Sequence, residues 1–234
     1  MASVCSVLLI ICKERMIHRI RLKNVLPNVF VGASPEGGPS DIWEKEITFN
    51  KGKSYLIEAA SGRGKSSFCA YLFALRNDYQ GSIEWIDEKE NPLSLDEKGI
   101  DKLRCEGIGM MFQEHRLFPE LTAMENVLLK NALTHFTTEE HIRQMLIQMG
   151  LHDRLDVPCG KLSFGQQQRV AFVRLLSQPA DFLLLDEPVS HLDIENAKIM
   201  ADMLSEYQAK SNAGIIVTSI GHRMPYSYDQ LLKL

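Results

Sequence analysis

The sequence contains no C-x-x-C pair, no tract of basic residues, no internal repeat and no low-complexity segment. It also lacks an apolar stretch of the roughly twenty residues that a membrane-crossing helix needs. Each gap excludes something. The five cysteines (Cys5, Cys12, Cys69, Cys105 and Cys159) are scattered and odd in number. That argues against a disulfide framework or a zinc site and for a reducing compartment. With no basic tract and a net charge of −4, nucleic acid is not expected as a partner. The apolar run in residues 4–12 is too short to span a bilayer and lacks the basic leader and small-residue cleavage site of a secretory signal. Ile11, rather than a small residue, precedes Cys12, against a lipoprotein cleavage site. Residues 1–15 read as an N-terminal extension, either an extra strand or a frayed tail; the alternative is that translation starts at Met16, where the domain pattern begins.

What is present is ordinary globular material. The 234 residues are 45% hydrophobic and 24% charged, enough for one large domain or a domain with a small subdomain. Residues 17–22 alternate apolar and basic side chains, the mark of a half-buried strand. Residues 42–49, 55–57, 81–86, 108–112, 182–185 and 215–218 read as further strands, and residues 32–40 as a loop. Helices are expected over residues 68–75, 95–105, 121–133, 138–149, 165–176 and 194–208, with Thr137 and Glu140 forming a capping box ahead of the fourth. Strands that alternate with helices predict an α/β fold with a mostly parallel sheet.

One loop organises this pattern: Ala59-Ala60-Ser61-Gly62-Arg63-Gly64-Lys65-Ser66-Ser67 lies between a buried strand and a helix. Gly62 and Gly64 let the backbone turn its N–H groups toward an anion, and the helix that follows adds the positive end of its dipole. Lys65 supplies a charge for the outer phosphates of a nucleotide, and Ser66 a hydroxyl for a magnesium ion. Ala59 stands where the G-x-x-x-x-G-K-[ST] pattern has its first glycine. Alanine is tolerated there if φ is negative and harmful if φ must be positive. By itself the loop is also compatible with a plain glycine turn.

Two later stretches add chemistry. Leu185-Asp186-Glu187-Pro188 ends an apolar strand, where open α/β sheets place ligands. Asp186 is suited to hold magnesium across from Ser66, and Glu187 to polarise a water against the last phosphate. An acidic strand-to-loop turn is the plainer alternative. Leu162-Ser163-Phe164-Gly165-Gln166 opens another helix and makes a second anion-ready N-terminus, or simply an N-cap by Ser163.

Taken together these stretches resemble the nucleotide-binding subunit of an ATP-binding cassette (ABC) transporter, with matches from about residue 17 to residue 218. The resemblance implies the P-loop NTPase fold of ABC ATPases. That fold has a mostly parallel sheet core, an antiparallel β subdomain and a helical subdomain over about residues 115–175, all within residues 16–234. It identifies Leu162, Ser163, Phe164, Gly165 and Gln166 as the signature motif, with Phe164 in place of a glycine, and Gln113 as the Q-loop glutamine. Asp186 and Glu187 are similar to the Walker B pair, and Ser190-His191-Leu192-Asp193 to the D-loop. ATP and Mg2+ are the implied cofactors, with Ser66, Gln113 and Asp186 around the ion and Glu187 as the catalytic base. The implied partners are a second ATPase subunit, in a homodimer or a pair, and a separate transmembrane permease. The implied location is the cytoplasm, peripheral on the inner face of the cell membrane.

Two positions depart from that pattern. Ser219 stands where the family has a histidine after the last core strand, with His222 three residues on, so slow hydrolysis is an expectation and a nucleotide-gated clamp with little turnover the alternative. Phe30 is the candidate to stack on adenine, and a core aromatic otherwise. Residues 116–127 resemble the region that docks a short helix of the membrane subunit, and the Thr-Ala-x-Glu-Asn-Val stretch is most similar to ATPases of lipoprotein-releasing and macrolide-efflux exporters. DNA-repair and translation members of the family usually carry long coiled-coil insertions or two cassettes, and neither is present here.

Overall fold

The computed structural model describes residues 16–32 and 38–234. The N-terminal extension, with Cys5 and Cys12, and residues 33–37 of the expected loop lie outside the described residues. Two sheets carry the fold. The first is antiparallel, in the order β2-β1-β4, with β1 at Arg19–Pro27, β2 at Glu46–Asn50 and β4 at Tyr79–Ile86. Its alternation is the one expected: Ile20 and Leu22 are fully buried while Arg19 and Arg21 are part-exposed. A bulge between Lys23 and Leu26 pushes the β1 backbone toward Gly81, where an added Cβ would lie 2.4 Å from the Lys23 and Asn24 carbonyl oxygens. Only glycine fits there.

The second sheet is parallel throughout, in the order β5-β6-β7-β3-β8. Its strands are β3 at Ser54–Glu58, β5 at Ile108–Met111, β6 at Phe182–Asp186, β7 at Gly214–Ser219 and β8 at Gln230–Lys233. The period-two geometry of a strand divides each one between two cores. Leu56, Leu183, Leu185, Ile215 and Val217 face one cluster, with most of the helices. Tyr55, Ile57, Phe182, Leu184 and Ile216 face another, with the antiparallel sheet. Asp181, just before β6, knits the two layers together. Its carboxylate accepts from the Met16 and Ile17 amides and pairs with Lys51.

Six α-helices lie among the described residues: α1 at Lys65–Leu72, α2 at Glu97–Lys102, α3 at Ala123–Asn131, α4 at Glu139–Gln148, α5 at Phe164–Leu176 and α6 at Ile194–Ser211, with short 3-10 segments at Asn28–Phe30 and Cys159–Lys161 and a π segment at Leu103–Gly107. No helix among the described residues is long and apolar enough to cross a membrane.

Several local expectations are corrected. Residues 42–45 form a turn rather than strand, because the Ser40 hydroxyl accepts from the Ile42 and Trp43 amides and Glu44 takes φ +57°. Helix α1 starts three residues earlier than its apolar run, and Ala74 at φ +53° lies just beyond its end. Thr138, not Thr137, caps α4 by accepting from the His141 amide, while the Thr137 amide goes to Asn131. Capping boxes form at Thr122 with Glu125 and at Ser163 with Gln166. Strand β8 carried no clear sequence signal, being a short edge strand with Leu231 exposed.

Candidate active site

The ends of β3, β6 and β7 are adjacent in the parallel sheet, so the loops after them converge. After β3, Gly62 and Gly64 take φ of +78° and +90°, the left-handed conformation expected of them. Ala59 does not take positive φ, and its amide donates to the Ser219 carbonyl at 3.1 Å, so alanine is accommodated at the strand end. Gly64 caps α1 without any side-chain hydrogen bond, which leaves the first N–H groups of that helix open. A Cβ on Gly64 would lie 3.2 Å from the Phe30 ring and 3.3 Å from Trp43, so the two aromatics press on the loop.

The side chains of the loop diverge. Lys65 is buried, and its ammonium donates to the Ala59 and Ala60 carbonyls at 3.0 and 2.9 Å. Ser61 and Ser66 are exposed at the mouth, and the Ser67 hydroxyl accepts from Arg76 at 3.0 Å. Arg63 faces the other way. Its guanidinium is buried and donates to the Gly38 and Leu234 carbonyls, and its own carbonyl accepts from the Trp43 indole. Arg63 therefore offers the loop its backbone, while its side chain anchors the loop to the segment after β8.

Across the loop, Asp186 is buried and accepts from the Thr218 hydroxyl at 2.6 Å. Glu187 sits at φ +53°, a costly conformation for a side-chain-bearing residue, and is held there by hydrogen bonds to Thr218, Gln168 and Ser190, whose hydroxyl donates to the Glu187 carbonyl at 3.2 Å. Its amide donates to Thr218, and the Gln168 amide donates to the Glu187 and Pro188 carbonyls at 3.4 and 2.7 Å. The Glu187 carboxylate lies 3.5 Å from the Lys65 ammonium and 3.4 Å from the Gln113 amide nitrogen, which follows β5. Behind them, burial and then the negative charge of Asp186 push the Cys69 thiol well up, against a smaller opposing effect of Lys65. It is a packing group rather than a nucleophile.

Ser219 does not point at Glu187. Its hydroxyl donates to the His222 carbonyl at 2.9 Å and accepts from the Gly221 amide at 3.1 Å, closing a turn with Gly221 at φ +109°. Glu187, Ser190, His191, Ser219, Ile220 and His222 line an open cleft of about 240 Å3.

At the start of α5, Leu162 is buried and Ser163 exposed. The Ser163 hydroxyl accepts from the Gln166 amide, and the Gln166 side chain accepts from the Ser163 amide. Phe164, 46% exposed, is sandwiched between His115 and His191 at centroid distances of 4.3 and 4.4 Å. A Cβ on Gly165 would meet the His191 carbonyl at 3.1 Å, which explains a glycine in the first turn of a helix. Asp193 caps α6, accepting from the Asn196 amide, and this bond with the Asn196 side chain lowers its carboxyl pKa. Both ring nitrogens of the buried His115 lack a hydrogen-bond partner, and burial, then His191 and Arg174, bring its pKa down to about 4.

The sequence reading thus named the residues that converge here: Lys65, Gln113, Asp186 and Glu187. It missed their supports, Thr218, Gln168 and Trp43. Only Thr218 carried a signal, a hydroxyl in an otherwise aliphatic strand. For a divalent ion, Ser66, Gln113 and Asp186 offer hard oxygen donors, which suit magnesium. Among the described residues no three His, Cys, Asp or Glu side chains gather into a metal cluster.

Comparison with known proteins agrees. The ABC transporter family profile matches residues 44–190. The chain is 32% identical over 176 residues to the lipoprotein-releasing system ATP-binding protein LolD 1 of Caulobacter vibrioides, covering 74% of each. It is 32% identical over 193 residues to the uncharacterized ABC transporter ATP-binding protein YbbA of Escherichia coli K12, covering 81% of this chain and 83% of that one. Among solved structures it resembles the dimeric structure of MJ0796, a bacterial ABC transporter cassette, with a TM-score of 0.70, 26% identity, and coverage of 85% and 87%. A glycine loop with open helix amides, a lysine facing the glutamate at the end of β6 and a profile match across most of the chain lead to one assignment: this protein belongs to the ABC transporter family, as an ATPase subunit.

Proposed function

We propose that the chain energises a membrane transporter of the lipoprotein-releasing or exporter type by closing as a dimer on ATP and reopening after hydrolysis. The observation that carries this reading is the convergence of Lys65 and Gln113 on the Glu187 carboxylate, next to Asp186. In this reading the amides of residues 60–66 and the Lys65 ammonium bind the phosphates, and Phe30, against Gly64, stacks on adenine. Ser66, Gln113 and Asp186 hold a magnesium ion, which when bound offsets phosphate charge. Glu187 orients the attacking water. Ser163 and Gly165 complete the nucleotide site of the partner copy, with Asp193 at the seam between copies.

A triphosphate has more charge than one loop can surround, so a second helix N-terminus from a partner is a physically reasonable lid. The helices of residues 115–175 form the subdomain that presents it. The exposed Phe118, Leu129 and Leu133, with Arg116 over the Phe112 ring, offer the permease subunit a groove, which makes the protein peripheral on the inner face of the membrane. Relatives named for lipoprotein release support the export direction over import. The clamp without turnover finds no such support.

Glu187→Gln tests the mechanism in the assembled transporter. It is expected to keep ATP binding and ATP-driven dimerisation while turnover falls by about a hundredfold or more. Undiminished turnover overturns the assignment of Glu187.

A further inference from the structure

Phe164 opens α5 with a large apolar side chain, 46% exposed, at a position where the family pattern has a glycine. Its ring touches side chains from two loops. His115, in the loop after β5 that carries Gln113, meets it tilted at a centroid distance of 4.3 Å. His191, in the loop after β6 that carries Glu187, meets it edge-on at 4.4 Å. Neither loop is relaxed. His115 and Arg116 take φ of +59° and +48° in succession, a conformation that side-chain-bearing residues keep only when their surroundings hold them. The His115 ring is buried with no hydrogen bond to either nitrogen, so ring packing is what holds it. Farther along α5, Arg174 donates to the His115 and Arg116 carbonyls. On the other side Glu187 is at φ +53°, and the Ser190 hydroxyl joins its carbonyl, at 3.2 Å, to the His191 Nδ1, at 2.9 Å. Helix α5 thus braces both strained loops, and Phe164 meets the two together. Between these loops Gln113 and Glu187 come within 3.4 Å of each other.

We propose that Phe164 is a positioning residue for hydrolysis in its own subunit: wedged between His115 and His191, its ring sets the spacing of the loops that carry Gln113 and Glu187. This inference rests on the hydrolytic reading above and adds to it a residue that acts through others rather than on the nucleotide. Aromatic contacts have preferred geometries, so the wedge fixes a separation as well as filling space. That separation matters because a misplacement of about 1 Å at a reacting centre costs on the order of a hundredfold in rate. The effect stays within one chain, whereas the neighbouring Ser163 and Gly165 serve the site of the partner copy.

Hydrogen exchange of the isolated full-length subunit tests the wedge where no partner copy is present. Phe164→Ala is expected to speed amide exchange by about tenfold or more in residues 113–116 and in residues 187–191, with β3 unchanged. His191→Ala, at an exposed position, is expected to speed residues 187–191 alone. Phe164→Tyr keeps the ring and is expected to match wild type in both loops. In the assembled transporter Phe164→Ala is expected to lower kcat about tenfold with KM within about twofold of wild type, and Phe164→Tyr to turn over within about twofold of wild type. Exchange within about twofold of wild type in either loop of Phe164→Ala overturns the proposal. So does faster exchange that extends to β3, an alanine form that turns over as wild type does, or a tyrosine form that stays impaired. His191→Ala with residues 187–191 unchanged overturns it as well. Wild-type turnover in Glu187→Gln is a different result: Phe164 is intact in that variant, and the hydrolytic reading is what fails.

Discussion

Two helices in this molecule begin at glycine-bearing loops, and they begin in opposite states. Helix α1 starts after Gly64 with no side-chain cap, so its leading N–H groups have no partner within the fold. Helix α5 starts after Ser163 with a complete capping box, and its amides are partly satisfied from within. The supports differ too. The α1 loop is held by a buried Arg63, by Trp43 and by an ammonium turned inward to Ala59 and Ala60. The α5 start is exposed and rests on tilted and edge-on ring contacts of Phe164 with His115 and His191. An open helix end invites an anion at once. A self-capped end is stable alone and gives up little until a partner brings a ligand to it. The contrast suits one helix to primary binding and the other to completing a site that forms only on assembly.

The comparison can be broken, most forcefully at α1. Lys65→Ala is expected to weaken ATP binding to the isolated subunit by about a hundredfold, the scale of a lost charge-assisted contact. Isothermal titration reads this, and a change below about threefold removes α1 as the primary site.

The α5 side is expected to be the acid-sensitive one. His115 is buried neutral, with a folded pKa of about 4 against an ordinary value of 6.5. Between those two values the unfolded chain binds the proton and the folded chain does not. Folding stability is therefore fully present above pH 6.5 and declines as pH falls toward 4, by on the order of 3 kcal/mol. Denaturant titrations of wild type and His115→Phe across this window measure it. The variant keeps an aromatic ring against Phe164 and is expected to lose this component of the decline; parallel curves sink the assignment.

The smallest effect separates the helices most sharply. Ser163→Ala removes the α5 cap and is expected to cost about 1 kcal/mol of stability. ATP affinity of the isolated subunit stays unchanged while ATP-driven dimerisation, followed by sedimentation, weakens. If instead monomer affinity falls as it does for Lys65→Ala, the two helix starts do not divide the labour as described.

Where the sequence was readable, the information was contiguous. Gly62, Gly64, Lys65 and Ser66 lie within five residues, and Leu185 through Pro188 within four, so chain neighbours had to be space neighbours. Where it misled, a distant partner decided. Thr137 and Thr138 both make acceptable caps, and Asn131 drew the amide of the first into another bond, leaving the second as cap. The sequence leaves the Arg63 side chain unplaced, and the carbonyls of Gly38 and Leu234 hold it behind the loop. Ile42 and Trp43 have strand propensity, and the hydroxyl of Ser40 turned them.

The amino-acid sequence alone determined the alternation of strands and helices, the phosphate-ready loop and the acidic strand end, because each depends on residues within a few positions of one another. Tertiary structure alone decided that Ser219 closes a turn, that His222 and Glu187 share a cleft, that His115 is stripped of water, and that Thr218 and Gln168 hold the strained Glu187. Those outcomes depend on which surfaces meet when β6, β7 and α5 pack, and the hydrogen bonds that fix them join residues as many as 31 positions apart in sequence.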